Sequence, residues 1–573
     1  MNLRQYISRL EAAGELVRVA ARVDLRWEIA EITDRMSKSE GGGRALLFEN
    51  TGTEFPVLTN MMGSERRMSM ALGVDSLDSL TRRIDSLLHE AMSPKNTLMD
   101  KLRMLPLLHD MSKWFPRKLS SRGECQQTVM LGDDVDLGRL PALTSWGCDG
   151  GPFITLPMVH TVDPESGIPN MGMYRMQIFD SRTTGMHWHR HKTGARHFDA
   201  YRRLGRRMPV TVALGGDPVY AYSATAPMPD NMDEYLLAGF LRRRPVRLVK
   251  CLTNELWVPE DCDFVIEGYV DPSEELAVEG AFGDHTGFYS LTDLYPRLHV
   301  TAITHRRDAV YPATVVGVPP MEDAYIAQAT ERIFLAPIRL AVQPEVVDLT
   351  MPTAGTAHNI AFVSIAKRYP GQPLKVAQGL WGAGQMMFNK YLLLADAEYD
   401  IRDAATIMAL LRRLDTRRGL LFSEGVLDIL DHATSTQGYG SKLAVDCTDI
   451  DISQPPVPIR VPGTASPAGG VELFNTAYVE RMGLLILYAE REWRESVDVE
   501  RYLADNGMAG MKYVVLFDRP AAGNMRDEDL LWLAAANTDP RRDMRMWGDT
   551  LIVDARSKRP GYGDNPPRFP NVA

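Results

Sequence analysis

Hydrophobic positions along this chain switch repeatedly between helical spacing and strand alternation. Leu3, Tyr6, Ile7 and Leu10 share one face of a helix over residues 3–13. Residues 16–23 alternate as a strand. Helical spacing returns over 27–36 and ends at the flexible Glu40-Gly-Gly-Gly43. Short strands are expected at 45–48 and 57–60 and a helix at 77–92. The basic, proline-broken stretch 94–118 reads as a connection.

Residues 121–315 are strand-rich, with strands expected at 129–131, 158–162, 174–179, 210–214, 248–252, 264–270 and 299–305. Helices at 197–204 and 232–241 interrupt them, so the pattern is mostly antiparallel β. Helix–strand alternation resumes with helices at 324–340, 374–388 and 404–414 around strands at 346–349 and 391–395. The last stretch repeats that unit. Lys390-Tyr-Leu-Leu-Leu-Ala-Asp396 parallels Lys512-Tyr-Val-Val-Leu-Phe-Asp518, and Leu443-Ala-Val-Asp446 parallels Leu551-Ile-Val-Asp554. The fold class expected is multidomain α+β. An N-terminal α/β domain spans 1–120, a central β domain 121–315, a C-terminal α/β domain 316–470, and a partial duplicate 471–573. The duplicate's role is read as oligomer contact or scaffold, and the proline-rich tail after Lys558 as extended.

Composition narrows the class. A chain of 573 residues with 45% apolar and 24% charged residues has the make-up of several packed domains. A net charge of -10 argues against a generally basic nucleic-acid binder. The cysteines at 125, 148, 251, 262 and 447 form no CxxC pair and fit free thiols in a reducing cytoplasm. The charged, amphipathic start is neither signal peptide nor span. No run of about 18 apolar residues occurs, so no transmembrane helix is expected, although peripheral membrane contact stays open. The 30 methionines suit either a greasy channel or plain core filling.

Candidate chemistry concentrates in residues 170–198, which hold four of the twelve histidines. If 186–191 is extended, His187, His189 and His191 share a face; if it is helical, His187 pairs with His191. The preceding turn at 181–185 and Gly194 favour the extended form. Three imidazoles near Arg175 and Lys192 suit an anion or a metal, while the plain alternative is a polar sheet surface. A second stretch, residues 279–289, sets Glu279 and Asp284 in a glycine-rich loop that can aim both carboxylates at one point.

Together the two stretches resemble the UbiD family of reversible decarboxylases, which use prenylated FMN. The resemblance rests on Asn170-x-Gly-x-Tyr-Arg175, Met-His-Trp188, His191-Lys-x-Gly-Ala195 and Glu279-Gly-x-x-Gly-Asp-His-Thr-Gly287. It continues through 10–19, 44–50, 60–73, 344–349, 389–403 and 428–446, nearly end to end. It implies a split β-barrel flavin domain for 121–315. It places a Mn²⁺ or Mg²⁺ that anchors the cofactor phosphate on Asn170, His189 and Glu234. The choice of His189 over His187 or His191 stays open at this point, and a solvated helix residue is the alternative for Glu234. Met173, Tyr174, Arg175, His187, Trp188, His189, Lys192, Thr193 and Glu234 correspond to cofactor-binding segments. A potassium site would use Thr155 and main-chain oxygens near Ala224. Lys390 aligns with a lysine that reaches the cofactor in relatives, and a water-exposed strand-entry lysine is the alternative.

Arg175, Glu279 and Asp284 match the family's catalytic carboxylate–arginine–carboxylate set. Glu279 is expected to pair with Arg175, leaving Asp284 free, with a raised pKa, as the acid that protonates the product. The implied activity is decarboxylation of an aromatic or unsaturated carboxylate in ubiquinone or menaquinone biosynthesis. A decarboxylase of small phenolic or heteroaromatic acids, or a non-enzymatic flavin-binding or assembly protein, are the rival readings. A flavin prenyltransferase as cofactor supplier, a homo-oligomer and a cytoplasmic location are the remaining expectations.

Overall fold

The computed structural model describes residues 1–94, 96, 104–459, 465–489, 497–508, 510–519 and 525–558. It divides into two compact units, one spanning Met1–Arg332 and the other beginning at Ile333. The proline-rich tail lies outside the described residues, as do 95 and 97–103 of the stretch read as a connection.

In the first unit, helix Leu3–Ala12 buries Leu3, Tyr6, Ile7 and Leu10, as its periodicity predicts. Asn2 and Gln5 close its N-terminus with a reciprocal capping box. A four-stranded sheet joins Leu16–Arg22, Ala45–Asn50, Val57–Thr59 and, from far along the chain, Tyr311–Pro312. Among the described residues of this unit, three α-helices lie outside those expected: Glu65–Leu72, Leu105–Ser112 within the expected connection, and Pro218–Thr225. Leu105–Ser112 opens with proline in its first turn, where the missing N–H breaks no helical bond. Proline at that position starts a helix and does not interrupt one.

The central sheet is antiparallel throughout. Its strands run in the order Thr183–Gly185, Arg297–His305, Phe264–Val270, Met208–Leu214, Met158–Val162 and Pro169–Met173. Thr128–Leu131 pairs with the far end of Arg297–His305. Register places Val212 opposite Ile266 and Ile266 opposite Ile303, and all three are buried in one core with Ile29 and Phe48. The expected strand over 174–179 is displaced. Strand Pro169–Met173 ends, Tyr174 and Arg175 lie outside any strand, and Met176–Gln177 begins a separate short one. The expected turn at 181–185 holds the strand Thr183–Gly185, and 186–189 carry no regular structure before a turn at 190–191.

The second unit contains two five-stranded sheets of the same order and sense. In the first, Val346–Thr350 pairs antiparallel with Ile360–Ile365. Tyr391–Asp396 and Tyr439–Asp446 follow in parallel, and Leu420–Val426 closes the edge antiparallel. Val471–Asn475, Leu484–Ala489, Tyr513–Asp518, Thr550–Asp554 and Met544–Trp547 repeat that arrangement. The helix expected over 374–388 ends at Trp381, and a 3₁₀ turn, Gly384–Phe388, follows. Leu393, Leu410 and Leu414 share a core with Tyr513, Leu551 and Val553. The segment 537–543 also grips the loop 431–441. His432 bonds Asn537 at 3.0 Å, Ser441 N donates to Asp539 at 3.1 Å, and Arg542 donates to the Ala433 carbonyl.

Candidate active site

The break in the strand after Met173 turns the Arg175 side chain inward, where only 9% of the residue is exposed. Across from it, Glu279 ends strand Ala277–Glu279 and is fully buried. Gly280 then takes φ +96°, a conformation that a side chain would strain, and the chain loops back to present Asp284. Arg175 Nε donates to Glu279 Oε1 at 3.1 Å, and Nη2 donates to Ser290 Oγ at 2.8 Å. Arg175 Nη1 donates to Asp284 Oδ2. The guanidinium also lies over the Phe282 ring at 4.7 Å.

One arginine therefore holds both carboxylates, which corrects the expectation that Asp284 is free with a raised pKa. Burial alone would raise the Glu279 carboxyl, but Arg175 and His187 hold it down at about 2. Burial likewise acts on Asp284, and Arg175 and His285 outweigh it, keeping that carboxyl well below the ordinary range. The physical reason is reach. A guanidinium has a fork of five N–H donors and serves two carboxylates at once. Near neutral pH both acids are ionised.

His187 Nδ1 lies 2.9 Å from Glu279 Oε2, and its Nε2 lies 2.5 Å from His189 Nε2. Burial and the Arg175 charge keep His187 below its ordinary pKa, against the pull of Glu279. The ring of His189 in turn lies 5.8 Å from that of His191, which is exposed. The three imidazoles thus form a row running outward from Glu279, although their backbone is irregular and not a strand. Tyr295 packs against His187 with ring centroids 4.4 Å apart.

A second cluster surrounds Tyr174. Glu234, the first residue of helix Glu234–Arg242, accepts from Met171 N at 2.8 Å and is buried. The cap of this helix is Asp233, whose side chain accepts from Tyr235 N at 2.8 Å. Burial pushes the Glu234 carboxyl up to about 7. Asn170, on the strand beside it, carries a buried side-chain nitrogen with no partner. Helix Thr193–Leu204 begins here after Lys192, and Gly194 lies so close to the Trp188 indole that a Cβ would fall 2.6 Å from Nε1. That Nε1 is buried and also without a partner. A helix N-terminus, a lysine and an unpartnered N–H form a cradle for a phosphate. The Glu234 carboxylate and the Asn170 amide oxygen are hard oxygen ligands of the kind a divalent cation takes, whereas the unpartnered Asn170 nitrogen is a donor and would not bind one. Among the described residues no three His, Cys, Asp or Glu side chains cluster as a metal site; the expected set needs the Asn170 amide.

Lys390 and Asp431 belong to the second unit. Lys390 is fully buried and its Nζ lies 2.6 Å from Asp431 Oδ2, so the reading of an exposed lysine is overturned. Lys512, its counterpart in the repeat, instead donates to the Leu414 carbonyl at 3.1 Å. Thr155 is buried with its hydroxyl accepting from Thr314 N at 3.0 Å, and Ala224 lies on helix Pro218–Thr225. Sequence reasoning missed Asp149, Gln177, Ser290 and His285, all within contact of this loop or arginine. Asp149 sits in Cys-Asp-Gly-Gly-Pro, which by pattern is an ordinary turn.

Comparison with known proteins gives three consecutive family-model matches. The 3-octaprenyl-4-hydroxybenzoate carboxy-lyase N-terminal domain matches residues 7–87, the Rift-related domain 117–319 and the C-terminal domain 324–447. An uncharacterised protein of Aquifex aeolicus is 45% identical over 449 residues, covering 78% of this chain and 91% of its own. One from Helicobacter pylori is 33% identical over 574 residues, covering 97% and 91%. Among solved structures, the UbiD-class enzyme HmfF of Pelotomaculum thermopropionicum, in complex with FMN, is 26% identical with a TM-score of 0.66. The match covers 81% of this chain and 96% of that one. Vanillic acid decarboxylase of Sedimentibacter hydroxybenzoicus, at 24% identity and a TM-score of 0.67 over 82% and 96% of the two chains, shares the fold.

Proposed function

Because the chain belongs to the UbiD family of carboxy-lyases, we propose that it decarboxylates an aromatic or unsaturated carboxylate with prenylated FMN held in the first unit. The single observation that carries this reading is Arg175 gripping Glu279 and Asp284 together in a buried site. In this reading residues 121–315 form the split-barrel flavin domain.

When bound, prenylated FMN supplies an electron sink for the pair left behind by CO₂. Lys192, Thr193 and the start of their helix would meet its phosphate. Asn170, His189 and Glu234 would hold Mn²⁺ or Mg²⁺ against that phosphate, and Met173, Tyr174, His187 and Trp188 would line the flavin. A potassium ion near Thr155 and Ala224 belongs to the same proposal. Arg175 sets one positive charge against two carboxylates, so the trio keeps a net negative charge and Arg175 steers the anionic substrate only weakly while both acids are bound to it. Glu279, shared with His187, stays ionised and fixes the arginine. Asp284 takes up one proton per turnover and delivers it to the carbon that has lost CO₂. The site excludes water because Arg175, Glu279, His187 and Phe282 are buried around it.

Ser290, His187 and Tyr295 give the surroundings of Arg175 a polar and aromatic wall. That wall favours a small phenolic or heteroaromatic acid over a polyprenylated quinone precursor. A flavin prenyltransferase would supply the cofactor, and a cytoplasmic homo-oligomer is the assembly proposed. The test uses protein made with and without a flavin prenyltransferase, screened for ¹³CO₂ exchange and H/D exchange against a carboxylate panel that includes a prenylated hydroxybenzoate. Turnover only in the prenyltransferase-loaded protein supports the reading. Equal turnover with ordinary FMN or with no flavin overturns it.

A further inference from the structure

We propose that Asp149 is a positioning residue: with Gln177 it braces the loop carrying Glu279 and Asp284 and so sets how far apart the two carboxylates stand around Arg175. The proposal rests on the catalytic assignment made above.

The loop's own hydrogen bonds join 282–284 to 287–290, with Ser290 N donating to the Phe282 carbonyl at 2.8 Å and Asp284 N to the Phe288 carbonyl at 3.2 Å, and they leave Gly280 and Gly283 N–H to partners outside it. Glycines at 280 and 283 widen the conformations open to the stretch between Glu279 and Asp284, and their N–H groups are held from outside the loop. Asp149 uses both oxygens. Oδ1 accepts from Gly283 N at 2.8 Å, one residue before Asp284. Oδ2 accepts from Ser145 N and Trp146 N, each at 2.9 Å, so the carboxylate is anchored in its own turn. The anchor is fixed further by Trp146 Nε1, which donates to the Val316 carbonyl at 2.8 Å.

Gln177 works on the other end of the loop. Its Oε1 accepts from Gly280 N at 2.8 Å, one residue after Glu279, and its Nε2 donates to the Gly150 carbonyl at 2.8 Å. Gly150 N donates to the Ala281 carbonyl at 2.8 Å, and Cys148 N donates to the Tyr289 hydroxyl at 3.1 Å. The turn at 145–150 is therefore joined to the loop just inside each catalytic carboxylate. The approach leaves no room for a side chain: a Cβ on Gly150 would lie 2.2 Å from the Gly280 carbonyl oxygen. A charged acceptor on backbone N–H groups is stronger than a neutral one, which suits a brace on a glycine-containing backbone. Asp149 itself does not bond Arg175 in this arrangement, so it acts through the loop.

The experiment compares Asp149→Ala, Gly150→Ala, Gln177→Leu and Gln177→Glu with Asp284→Asn, all as cofactor-loaded full-length protein. The readouts are kcat and KM on the panel acid with the highest turnover, flavin content, and amide exchange of the peptide over 280–290. Asp149→Ala is expected to lower kcat by about 100-fold, the usual consequence of an ångström-scale misplacement, with KM and flavin content near wild type. Exchange over 280–290 should quicken while the central sheet stays protected. Gly150→Ala should give the same split, because it pushes on Gly280 from the same side. Gln177→Glu keeps the acceptor for Gly280 N and should recover part of the rate lost in Gln177→Leu. Wild-type kcat and unchanged loop exchange in Asp149→Ala and Gly150→Ala overturn the brace. So does a loss of rate accompanied by loss of flavin and faster exchange throughout, which marks a general folding defect. An active Asp284→Asn, by contrast, overturns the catalytic assignment and not the brace.

Discussion

Arg175 grips Asp284 and Glu279 with different edges of one guanidinium, so the residue assigned as the acid is, at rest, a paired carboxylate. Its proton must therefore arrive during the cycle. In the mechanism proposed here, a substrate carboxylate competing for Arg175 would loosen the pair and let the Asp284 pKa climb toward the working range.

Asp284→Asn keeps the size of the side chain and one acceptor for Arg175 but removes the proton carrier. Turnover should fall by about 10²- to 10⁴-fold, the usual contribution of a general acid, with flavin content preserved. Steady-state rates and solvent-deuterium exchange on the same preparation check it. Near-normal exchange would assign the acid to another residue, with His191 the next candidate.

Glu234→Ala removes the buried carboxylate beside the unsatisfied Asn170 amide. Divalent metal and flavin should be lost together, because in the proposed site Asn170, His189 and Glu234 would hold the ion that anchors the cofactor. Metal analysis and the flavin spectrum of purified protein measure both. Full flavin content with the metal gone would show that the ligand set is wrong.

Lys390 and Asp431 form a fully buried ion pair. Lys390→Met strands the Asp431 charge and should destabilise the protein by about 3–5 kcal/mol, whereas adding Asp431→Leu should restore most of it. Urea unfolding of the single and double variants gives the comparison. Equal stability of all three would mean that the pair is hydrated in solution.

Lys442 is buried and donates to the carbonyls of Met387 and Asn389 at 2.7 and 2.5 Å. Burial pushes its pKa down to about 7 from 10.5. The folded state thus binds fewer protons than the unfolded state between those values, so this residue's contribution is full above 10.5 and is lost as pH falls through 7. Stability should rise from pH 7 toward pH 10 more steeply in the wild type than in Lys442→Met. Parallel curves of denaturation midpoint against pH would remove Lys442 as the cause.

Among the described residues no helix is long and apolar enough to cross a membrane, in keeping with the absence of a long apolar run. The elements themselves were largely legible because they depend on local spacing. Phe264–Val270 and Leu77–Met92 appear with the bounds that their patterns predict, and the first helix buries the four residues its face named. The motifs also sufficed for the family, since Asn170-x-Gly-x-Tyr-Arg175 and Glu279-Gly-x-x-Gly-Asp284 are contiguous signals. What the chain's order could not decide was partnership across it. Asp284 was assigned a free carboxyl because a list of residues does not say that one guanidinium can reach two acids more than a hundred positions away. Lys390 read equally well as exposed, because its partner Asp431 lies 41 residues on, in a loop. Asp149 carried no signal in the sequence, because the backbone N–H it holds belongs to Gly283, 134 residues on. Periodicity is set by neighbours along the chain and survives in sequence. Charge balance and loop position are set by neighbours in space, and only the tertiary structure brings those together.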